Sequence, residues 1–375
     1  MLNMDYNYIL DIQKIKDVYH TIRVNSKHKE KIVSFELFLS SNLIQVYTVL
    51  KNRTYIHQRY NIFLIREPKI RVIMSECMQD KIINHLVSKY ILFPLIEPKL
   101  IEANVATREG KGSKKALLYM KRYINHLKEN YEKIYVLKCD IHKYFYSIDH
   151  EILLTKLKKI IFDSELYQLV KTIVESTDYE YVEELLSDKI KNERERIQSL
   201  KISNQEKQMK WNELNRIPKF QKGKGLPIGN MSSQIMAIFY LNDLDHFIKE
   251  KLRIHHYIRY MDDLILIHPD KEYLKYCLCQ IEEKVKNLKL KLNHKTQITE
   301  LSTTGVIFLG YRFRLRDKRL YILMQNQTKK RIRRRMKKKN TKNDREELLM
   351  RYNGYLSHCH SNGFRYQTIY KKAML

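Results

Sequence analysis

The sequence is short of acidic residues, cysteines and long apolar runs. It contains 42 Asp and Glu against 71 Lys and Arg in 375 residues, and its 5 cysteines have neither a paired framework nor the spacing of a zinc site. We therefore expect reduced thiols rather than disulfides. No run reaches the roughly 18 apolar residues of a membrane span, and the first residues lack the form of a signal peptide. These absences predict a cytoplasmic protein without a membrane partner.

The positive charge is in excess and clustered. The formal net charge is +29, and residues 329–339 hold nine Lys and Arg in eleven positions. An excess of this size indicates a polyanionic partner. Nucleic acid is favoured over a membrane surface, because no basic helix with an aromatic face stands out. The tract at 329–339 is either the start of a helix that binds a duplex or a mobile basic tail.

The apolar spacing predicts helices and strands without an internal repeat. Helices are expected over 1–55, 80–95, 113–130, 150–161, 232–252 and 273–288, and strands over 56–74, around a turn at 67–69, and over 133–141. Two more strands follow, and the end of the chain is basic and helical. Residues 175–216 are dense in charge and predict one or two helices, either a weakly packed lid or a contact for RNA or a partner.

Two adjacent carboxylates, Asp262 and Asp263, lie between apolar stretches that predict the two strands of a hairpin. An unpaired buried carboxylate costs several kcal/mol, so a cation is expected beside them. Carboxylate oxygens suit Mg²⁺, and a pair of such ions serves two-metal phosphoryl transfer. This chemistry needs a further carboxylate from a second strand.

Asp140 is the candidate for that carboxylate, because it ends the apolar strand predicted over 133–141 and precedes an aromatic turn. Alone, an Asp at a strand end is usually a turn or cap residue. Together with the hairpin, it predicts that Asp140 and Asp262 bind metal directly and that Asp263 bridges or lies behind them. Ile141 is included among the expected metal and nucleotide contacts. The cofactor is two Mg²⁺ ions, for which Mn²⁺ is a substitute.

Seven blocks in the same order resemble those of reverse transcriptases, between about residue 52 and about residue 363. They occupy residues 69–73, 108–112, 140–149, 225–234, 260–263, 292–296 and 308–313. The resemblance implies an α/β (α+β) right-hand polymerase fold with fingers, a palm of antiparallel sheet with helices, and a helical thumb. The corresponding division is a helical extension (1–50), fingers (51–132), a palm (133–324) with the charged helical insertion 175–216, and a basic thumb (325–375).

The resemblance implies an RNA-directed DNA polymerase, a nucleotidyltransferase. Lys69 and Arg71, two apart on a strand, would neutralise the triphosphate, and Lys295 would protonate leaving pyrophosphate. The alternative for all three is an exposed surface cation. Nucleic acid would be bound by the cations of two basic segments, Arg108, Lys111, Lys329, Lys330, Arg331, Arg333, Arg334 and Arg335.

Two further positions bear on the substrate. Phe145 lies five residues after Asp140, where the resemblance places a ring that excludes a 2′-hydroxyl and selects deoxynucleotides; the alternative is a core aromatic. Gln234 would start the helix behind the nascent base pair or simply cap it.

The finer resemblance is to the enzymes of diversity-generating retroelements. Residues 226–229 read Leu-Pro-Ile-Gly where many reverse transcriptases read Leu-Pro-Gln-Gly, and 233–234 read Ser-Gln. The resemblance links the apolar Ile228 to low fidelity. Without an amide beside the incoming nucleotide, the enzyme lacks a hydrogen-bonding group that would favour correct base-pair geometry. The long segment 175–216 departs from that pattern and leaves antiviral defence, with a dedicated noncoding RNA, as an alternative role.

Two other functions remain open. One is an RNA-binding scaffold or splicing cofactor that does not need its carboxylates, and the other is template-independent or protein-primed DNA synthesis. No nuclease motif follows Phe313, so any cleavage is expected to be external. The expected partners are a template or noncoding RNA, the DNA product, deoxynucleoside triphosphates, and an accessory protein or a second copy of the chain.

Overall fold

The computed structural model describes residues 4–26, 29–66, 69–337, 341–361 and 364. They divide into two compact units. Unit 1 comprises Met1–Ile101, His142–Asp243 and Val285–Lys291, and unit 2 comprises Glu102–Ile141, Leu244–Lys284 and Leu292–Leu375.

Both units contain helices and strands. The helices are α1 (Ile12–Asn25), α2 (Lys29–Glu36), α3 (Leu39–Lys51), α4 (Met78–Val87), α5 (Phe93–Ile96), α6 (Gly112–Asn130), α7 (Tyr144–Ser147), α8 (His150–Lys158), α9 (Ser164–Val174), α10 (Glu180–Ser199), α11 (Asn204–Leu214), α12 (Met231–Tyr240), α13 (Asn242–His246), α14 (Lys271–Asn287), α15 (Asn326–Lys337) and α16 (Lys342–Leu356). The strands are β1 (Asn61–Ile65), β2 (Arg71–Ser75), β3 (Tyr135–Asp140), β4 (His256–Tyr260), β5 (Asp263–His268), β6 (Gln297–Glu300), β7 (Val306–Phe308), β8 (Tyr311–Arg316) and β9 (Arg319–Met324). This mixed composition confirms the predicted α/β (α+β) class.

In unit 1, β1 and β2 form the predicted antiparallel hairpin, in a register that pairs Ile65 with Arg71. Ile62, Val72 and Met74 on one face are buried, as expected from the two-residue period of a strand. Of the predicted turn at 67–69, residues 67 and 68 lie outside the described residues.

In unit 2, an antiparallel sheet with the strand order β4-β5-β3-β6 carries the acidic hairpin. The four residues that follow Asp263 in β5 are fully buried, so this strand is covered on both faces. The apolar side of α6 packs against this sheet and against the second sheet, β7-β8-β9, in one cluster. β5 and β3 therefore present their ends from a rigid core.

In the basic segment after β9, the described residues form the helices α15 and α16, as predicted, whereas 362, 363 and 365–375 lie outside the described residues. α15 and α16 share a small apolar cluster that includes Ile332, Met336 and Leu356. Burial of these residues orients α15 and leaves the cations at 330 and 333–335 exposed. Lys338 and Lys339 of the predicted basic tract lie outside the described residues.

Three sequence expectations were wrong in detail. Pro94 does not end the helix predicted over 80–95, because it lies in the first turn of α5, where its missing N–H costs no hydrogen bond. The helix predicted over 232–252 is broken after Tyr240 and continues as α13 and a π-helical turn over Phe247–Lys251. The two strands expected after α14 are four short strands, β6 to β9.

In the described part of the chain, no single helix is both long enough and apolar enough to cross a membrane. One pair, Glu30–Glu36 and Leu39–Lys51, bent by 85°, meets the length and composition requirements only when both helices are taken together. The predicted division into extension, fingers, palm and thumb stays a prediction.

Candidate active site

The three predicted carboxylates meet at one edge of the unit 2 sheet. β3 and β5 are antiparallel neighbours in a register that places Asp140 opposite Asp263. Asp262 lies in the two-residue turn between β4 and β5, after Met261, whose φ of 55° is in the left-handed region. The sequence therefore brings Asp140, Asp262 and Asp263 together through strand pairing.

The proximity of the three carboxylates alters the titration of Asp140 and Asp262. Burial, together with the charges of Asp140 and Asp263, raises the pKa of Asp262 to about 7. Burial and the charge of Asp263 also raise the pKa of Asp140. The interaction between the two side chains favours the protonated form of Asp262 and the charged form of Asp140.

Lys138 partly neutralises this acidic edge. Its Nζ lies 3.0 Å from Oδ1 of Asp263 and donates to the carbonyl oxygen of Ile307 at 3.1 Å. Lys138 lies two residues before Asp140 on β3, so both side chains point to the same face of the sheet. Its positive charge lowers the pKa of Asp140 and so opposes the effect of burial.

Asn293 orients Asp140 from the other side. Its Nδ2 donates to Oδ2 of Asp140 at 2.9 Å, and its backbone N–H donates to the carbonyl oxygen of Asp140 at 2.7 Å. Asn293 Oδ1 also accepts from the backbone N–H of Lys295 at 3.2 Å. The side chain of Lys295 is exposed, and its charge lowers the pKa of Asp140 slightly. The structure thus places Lys295 beside the carboxylates.

A fully buried ion pair supports the turn of the acidic hairpin. Arg259 donates from Nε and Nη2 to the two oxygens of Asp245, at 2.7 and 2.6 Å. Its Nη1 donates to the carbonyl oxygen of Met261 at 3.0 Å, and Tyr257 Oη donates to Asp245 at 2.7 Å. Left-handed backbone at a non-glycine residue costs about 1–3 kcal/mol. The bond from Arg259 stabilises that backbone directly before Asp262.

The carboxylate oxygens of Asp140, Asp262 and Asp263 are suitable ligands for a hard divalent cation, although their present positions do not form a complete coordination site. Carboxylate oxygens are the ligands that Mg²⁺ prefers, and the raised pKa values reflect a crowding of negative charge that a cation would relieve. In the part of the chain that the structure describes, no group of three or more His, Cys, Asp or Glu side chains is arranged to hold a metal ion. Lys138 and Asn293 each engage one carboxylate oxygen instead. Ile141 is buried and pairs with Leu292 in an isolated bridge.

In unit 1, the predicted nucleotide residues are connected through backbone hydrogen bonds. The N–H of Leu226 donates to the carbonyl oxygen of Phe145 at 2.7 Å, and the N–H of Met74 donates to the carbonyl oxygen of Ile228 at 3.0 Å. Residues 226–228 therefore link α7 to β2, the strand that begins at Arg71. Phe145 and Ile228 are both half-buried.

Gly229 is required by this connection. A Cβ at Gly229, whose φ is 137°, would lie 2.8 Å from the carbonyl oxygen of Met74, a clash with backbone that cannot move aside. The close approach of the segment at 226–229 to β2 therefore depends on glycine.

The remaining predicted substrate residues are exposed. Lys69 and Arg71 lie at the loop end of the β1–β2 hairpin. Gln234 lies three residues after the start of α12, which Asn230 precedes, so Gln234 neither starts nor caps that helix. It is exposed on an otherwise buried or half-buried helix.

The predicted nucleic-acid residues fall into two groups. In the loop before α6, Arg108 donates to the carbonyl oxygen of Asn104 at 2.8 Å, and Lys111 donates to Glu102 at 2.8 Å. These contacts give both cations a structural role. Of the six predicted cations on α15, four are exposed and two are half-buried: Lys330, Arg333, Arg334 and Arg335 in the first set, and Lys329 and Arg331 in the second.

Sequence reasoning missed four residues of this site. Lys138 had a signal, since the two-residue period of β3 puts it on the same face as Asp140. Asn293 lies in the block at 292–296 that resembles the family, but the resemblance assigns a role in that block to Lys295 alone. Asp245 and Arg259 had no local signal, because their ion pair joins residues 14 positions apart in a buried environment.

A family comparison agrees with this geometry. The model of the reverse transcriptase (RNA-dependent DNA polymerase) family matches residues 65–313, about two thirds of the chain. No curated protein sequence matches. A solved structure of apo telomerase from Candida tropicalis, truncated from its C-terminal domain, is 12% identical with a TM-score of 0.46, over 75% of this chain and 59% of that one. The chain thus spans less than two thirds of that structure, and this likeness adds nothing to the assignment.

The family match covers all three carboxylates, the segment at 226–229 and the loop end of the β1–β2 hairpin. It agrees with the predicted right-hand polymerase fold and with the predicted enzyme class, since the family is one of RNA-directed DNA polymerases, which are nucleotidyltransferases. The chain belongs to the reverse transcriptase (RNA-dependent DNA polymerase) family.

Proposed function

We propose that the chain is an RNA-directed DNA polymerase that copies RNA by metal-assisted nucleotidyl transfer. The observation that carries the proposal is the pairing of Asp140 with Asp263 across β3 and β5, with Asp262 in the turn directly before Asp263. A scaffold gains nothing from crowding three acids, because the repulsion and burial destabilise their charged forms. The arrangement is useful when a cation binds there.

Asp140 and Asp262 would hold the metal, with Asp263 behind them. Bound there, two Mg²⁺ ions would activate the primer 3′-hydroxyl and offset the charge on the triphosphate and leaving pyrophosphate. Asn293 keeps one oxygen of Asp140 in place, and Arg259 fixes the backbone before Asp262. Lys295, whose side chain is exposed, would supply the proton to the leaving pyrophosphate.

Residues of unit 1 would bind the nucleotide. Lys69 and Arg71 carry the charge that a triphosphate needs, and the ring of Phe145 excludes a 2′-hydroxyl. Ile228 offers an apolar side chain where an amide would test the geometry of the new base pair. The proposed role of Phe145 supports incorporation of deoxynucleotides, and the proposed role of Ile228 supports low fidelity.

The proposed setting is a bacterial retroelement or antiphage defence system with a dedicated noncoding RNA, acting in the cytoplasm. The support is the net charge of +29 and the exposed cations of α15. Structured RNA is bound largely through its backbone and shape, so binding is expected to weaken steeply with salt. The finer likeness to diversity-generating retroelements rests on the residue types at 226–229 and 233–234, together with 108–112 and 352–358.

Primer extension on an RNA template tests the activity. The wild type is compared with Asp140→Asn and Asp262→Asn, and with Asp188→Asn on the exposed face of α10 as the matched control. We expect DNA product from the wild type and the control, and a loss of about a thousandfold or more from both site variants, because the neutral amide cannot hold the cation. Melting temperatures of all four proteins establish that they are folded.

Sequencing of the nucleic acid bound to and made by the protein in cells separates the alternatives. DNA product from the wild type alone, mapping to one RNA, supports the proposal. Adenine-biased errors favour diversity generation, and repetitive or phage-induced product favours defence. The same bound RNA without DNA from either wild type or Asp262→Asn contradicts the proposal and leaves the scaffold.

A further inference from the structure

The charged segment between 175 and 216 has no part in the chemistry described so far. Most of it forms α10 and α11, and α11 begins with a capping box between Ser203 and Glu206. The side chains of α11 are mostly exposed. Short polar helices of this kind are not stable alone in water, so their contacts with the rest of unit 1 indicate what holds them.

α10 packs on the β1–β2 hairpin. Its Val182 and Leu186 are buried in one cluster with Ile62, Val72 and Met74. Near the start of α10, Tyr181 Oη accepts from the backbone N–H of Tyr60 at 3.2 Å. The apolar face of α10 therefore covers the buried face of the hairpin.

An acid on α10 binds the residue directly after β1. Nε–H of Arg66 is shared between the two carboxylate oxygens of Glu193, each at 3.0 Å, and Nη2 of Arg66 donates to Oε2 at 2.8 Å. Glu193 also accepts from Arg196 at 2.7 and 2.9 Å. Its side chain is only 4% exposed, whereas Glu195 on the same helix is exposed. Burial acts to raise the pKa of Glu193, but both arginines outweigh it and lower the pKa to about 2.

An acid on α11 binds the residue directly before β2. Glu213 Oε1 accepts from the backbone N–H of Ile70 at 3.0 Å. Ile70 lies between Lys69 and Arg71, and β2 begins at Arg71. The bond to Glu213 thus fixes the backbone between the two cations.

We propose that the α10–α11 hairpin positions the start of β2 for binding of the nucleotide triphosphate, with Glu193 and Glu213 as positioning residues for Lys69 and Arg71. The proposal rests on the proposed polymerase function. Residues that become fixed only when a ligand binds lose conformational entropy at that step, and this loss weakens binding. Because Glu213 binds the backbone of Ile70 and Glu193 binds Arg66 at the end of β1, part of that loss is incurred during folding. Lys69 and Arg71 are then already placed when the triphosphate binds.

Single substitutions separate positioning from general stability. Glu213→Ala removes the acceptor for Ile70, whereas Glu213→Gln keeps an oxygen acceptor and serves as the conservative variant. Glu193→Gln weakens the pairing with Arg66, and Glu195→Gln is its matched control on the same helix. None of these side chains is placed at the carboxylates.

Steady-state primer extension gives the first readout. For Glu213→Ala and Glu193→Gln we expect the KM for deoxynucleoside triphosphates to rise roughly fivefold or more, with kcat changed less than about twofold, because only uniform binding is lost. Glu213→Gln and Glu195→Gln are expected to match the wild type. An unchanged KM, or a fall in kcat at constant KM, would overturn the proposal.

Trp211 gives a readout that needs no catalysis. It is the only Trp in the 375 residues and lies on α11, two positions before Glu213. Titration with dATP is expected to change its emission in the wild type, with the midpoint shifted to higher concentration in Glu213→Ala. Equal midpoints contradict the proposal. Wild-type protein that binds dATP in this titration but extends no primer refutes the polymerase function and leaves the positioning role tested by the midpoints alone.

Discussion

Nζ of Lys138 lies 3.0 Å from Oδ1 of Asp263, on the face of the sheet that also carries Asp140. An ammonium group beside three acids offsets part of their repulsion, so it competes with any divalent cation for the same charge. The two partners are each about one quarter exposed, 23% and 26%. The ion pair is therefore accessible enough to exchange when a cation binds.

Lys138→Met should lower the Mg²⁺ concentration that gives half-maximal primer extension by roughly threefold or more, because Asp263 loses its competing cation. Methionine keeps the length and apolar stem of the side chain. Magnesium titrations of the extension rate measure the effect, with Lys133→Met, an exposed residue before β3, as the control. A raised or unchanged magnesium requirement would show that Lys138 does not compete.

Substitutions of Asp245 and Arg259 should separate the effect of this ion pair on stability from its effect on activity. Removal of one partner from a fully buried pair costs about 3–5 kcal/mol, whereas replacement of both by apolar residues is often neutral. Asp245→Leu with Arg259→Met is thus expected to melt closer to the wild type than either single variant does. Its activity should stay low, because the bond from Arg259 to the carbonyl oxygen of Met261 is absent.

Thermal melting and primer extension of the three variants check this expectation. Recovery of both stability and activity in the double variant would mean that Arg259 acts on stability alone. Restored stability without restored activity identifies it as a positioning residue for the turn before Asp262.

Phe145→Ala should admit ribonucleotides. Removal of the ring opens space for a 2′-hydroxyl, and the preference for dNTP over NTP in kcat/KM is expected to fall roughly tenfold or more. Phe162→Ala is the control, since Phe162 is an exposed aromatic in the same unit, 67% exposed. Unchanged discrimination would make Phe145 a core residue without a role in sugar selection.

Ile228→Gln should raise fidelity. A hydrogen bond that tests pair geometry is worth about 1 kcal/mol, which corresponds to roughly a fivefold lower misincorporation frequency. The backbone bond from Met74 to the carbonyl oxygen of Ile228 does not depend on the side chain, so the substitution should leave the fold intact. Sequencing of products made by the wild type, Ile228→Val and Ile228→Gln measures it; one shared error spectrum would remove Ile228 from fidelity control.

His150 should make the protein more stable at low pH. Burial lowers the pKa of His150, but the carboxylate of Asp178 and the carbonyl oxygen of Gly225 raise it by more, to above the ordinary value of 6.5. A raised folded-state pKa contributes stability that is fully present below about pH 6.5 and is lost as the pH rises through the folded value. The protonated ring is what holds the two partners.

Melting curves of the wild type and His150→Gln between pH 5.5 and pH 8.5 give the test. The difference in melting temperature is expected to be largest at the acidic end and to shrink as the pH rises. A difference that grows with pH would mean that the neutral ring is the stabilising form.

The sequence predicted the carboxylate cluster because its signals are local. Apolar stretches on both sides of Asp262 and Asp263 predict a hairpin, and Asp140 ends an apolar strand that can pair with it. Asn293 could not be predicted in this way, since its contact with Asp140 joins residues 153 positions apart. The hydrogen bonds from Leu226 to Phe145 and from Met74 to Ile228 join backbone atoms. Such bonds do not require particular side chains, so only the need for glycine at Gly229 is visible in the sequence.

The role proposed for the segment at 175–216 could not be predicted from the sequence either, because it depends on contacts between residues that are far apart in the chain. Glu193 and Glu213 are two among many acids of that segment, and only their distances to Arg66 and Ile70 set them apart. Pattern alone distinguishes a helix from a strand, but it does not distinguish an exposed acid from one that holds a distant loop.

Gln234 is the one exposed side chain on α12, a helix whose other residues are buried or half-buried. A substitution elsewhere on α12 disturbs packed core, whereas position 234 can vary freely in size and charge. In a library of all single substitutions, selected for folded protein, tolerance along α12 should therefore concentrate at this position. During evolution, a substitution on α12 that changes activity without loss of stability is therefore expected at position 234.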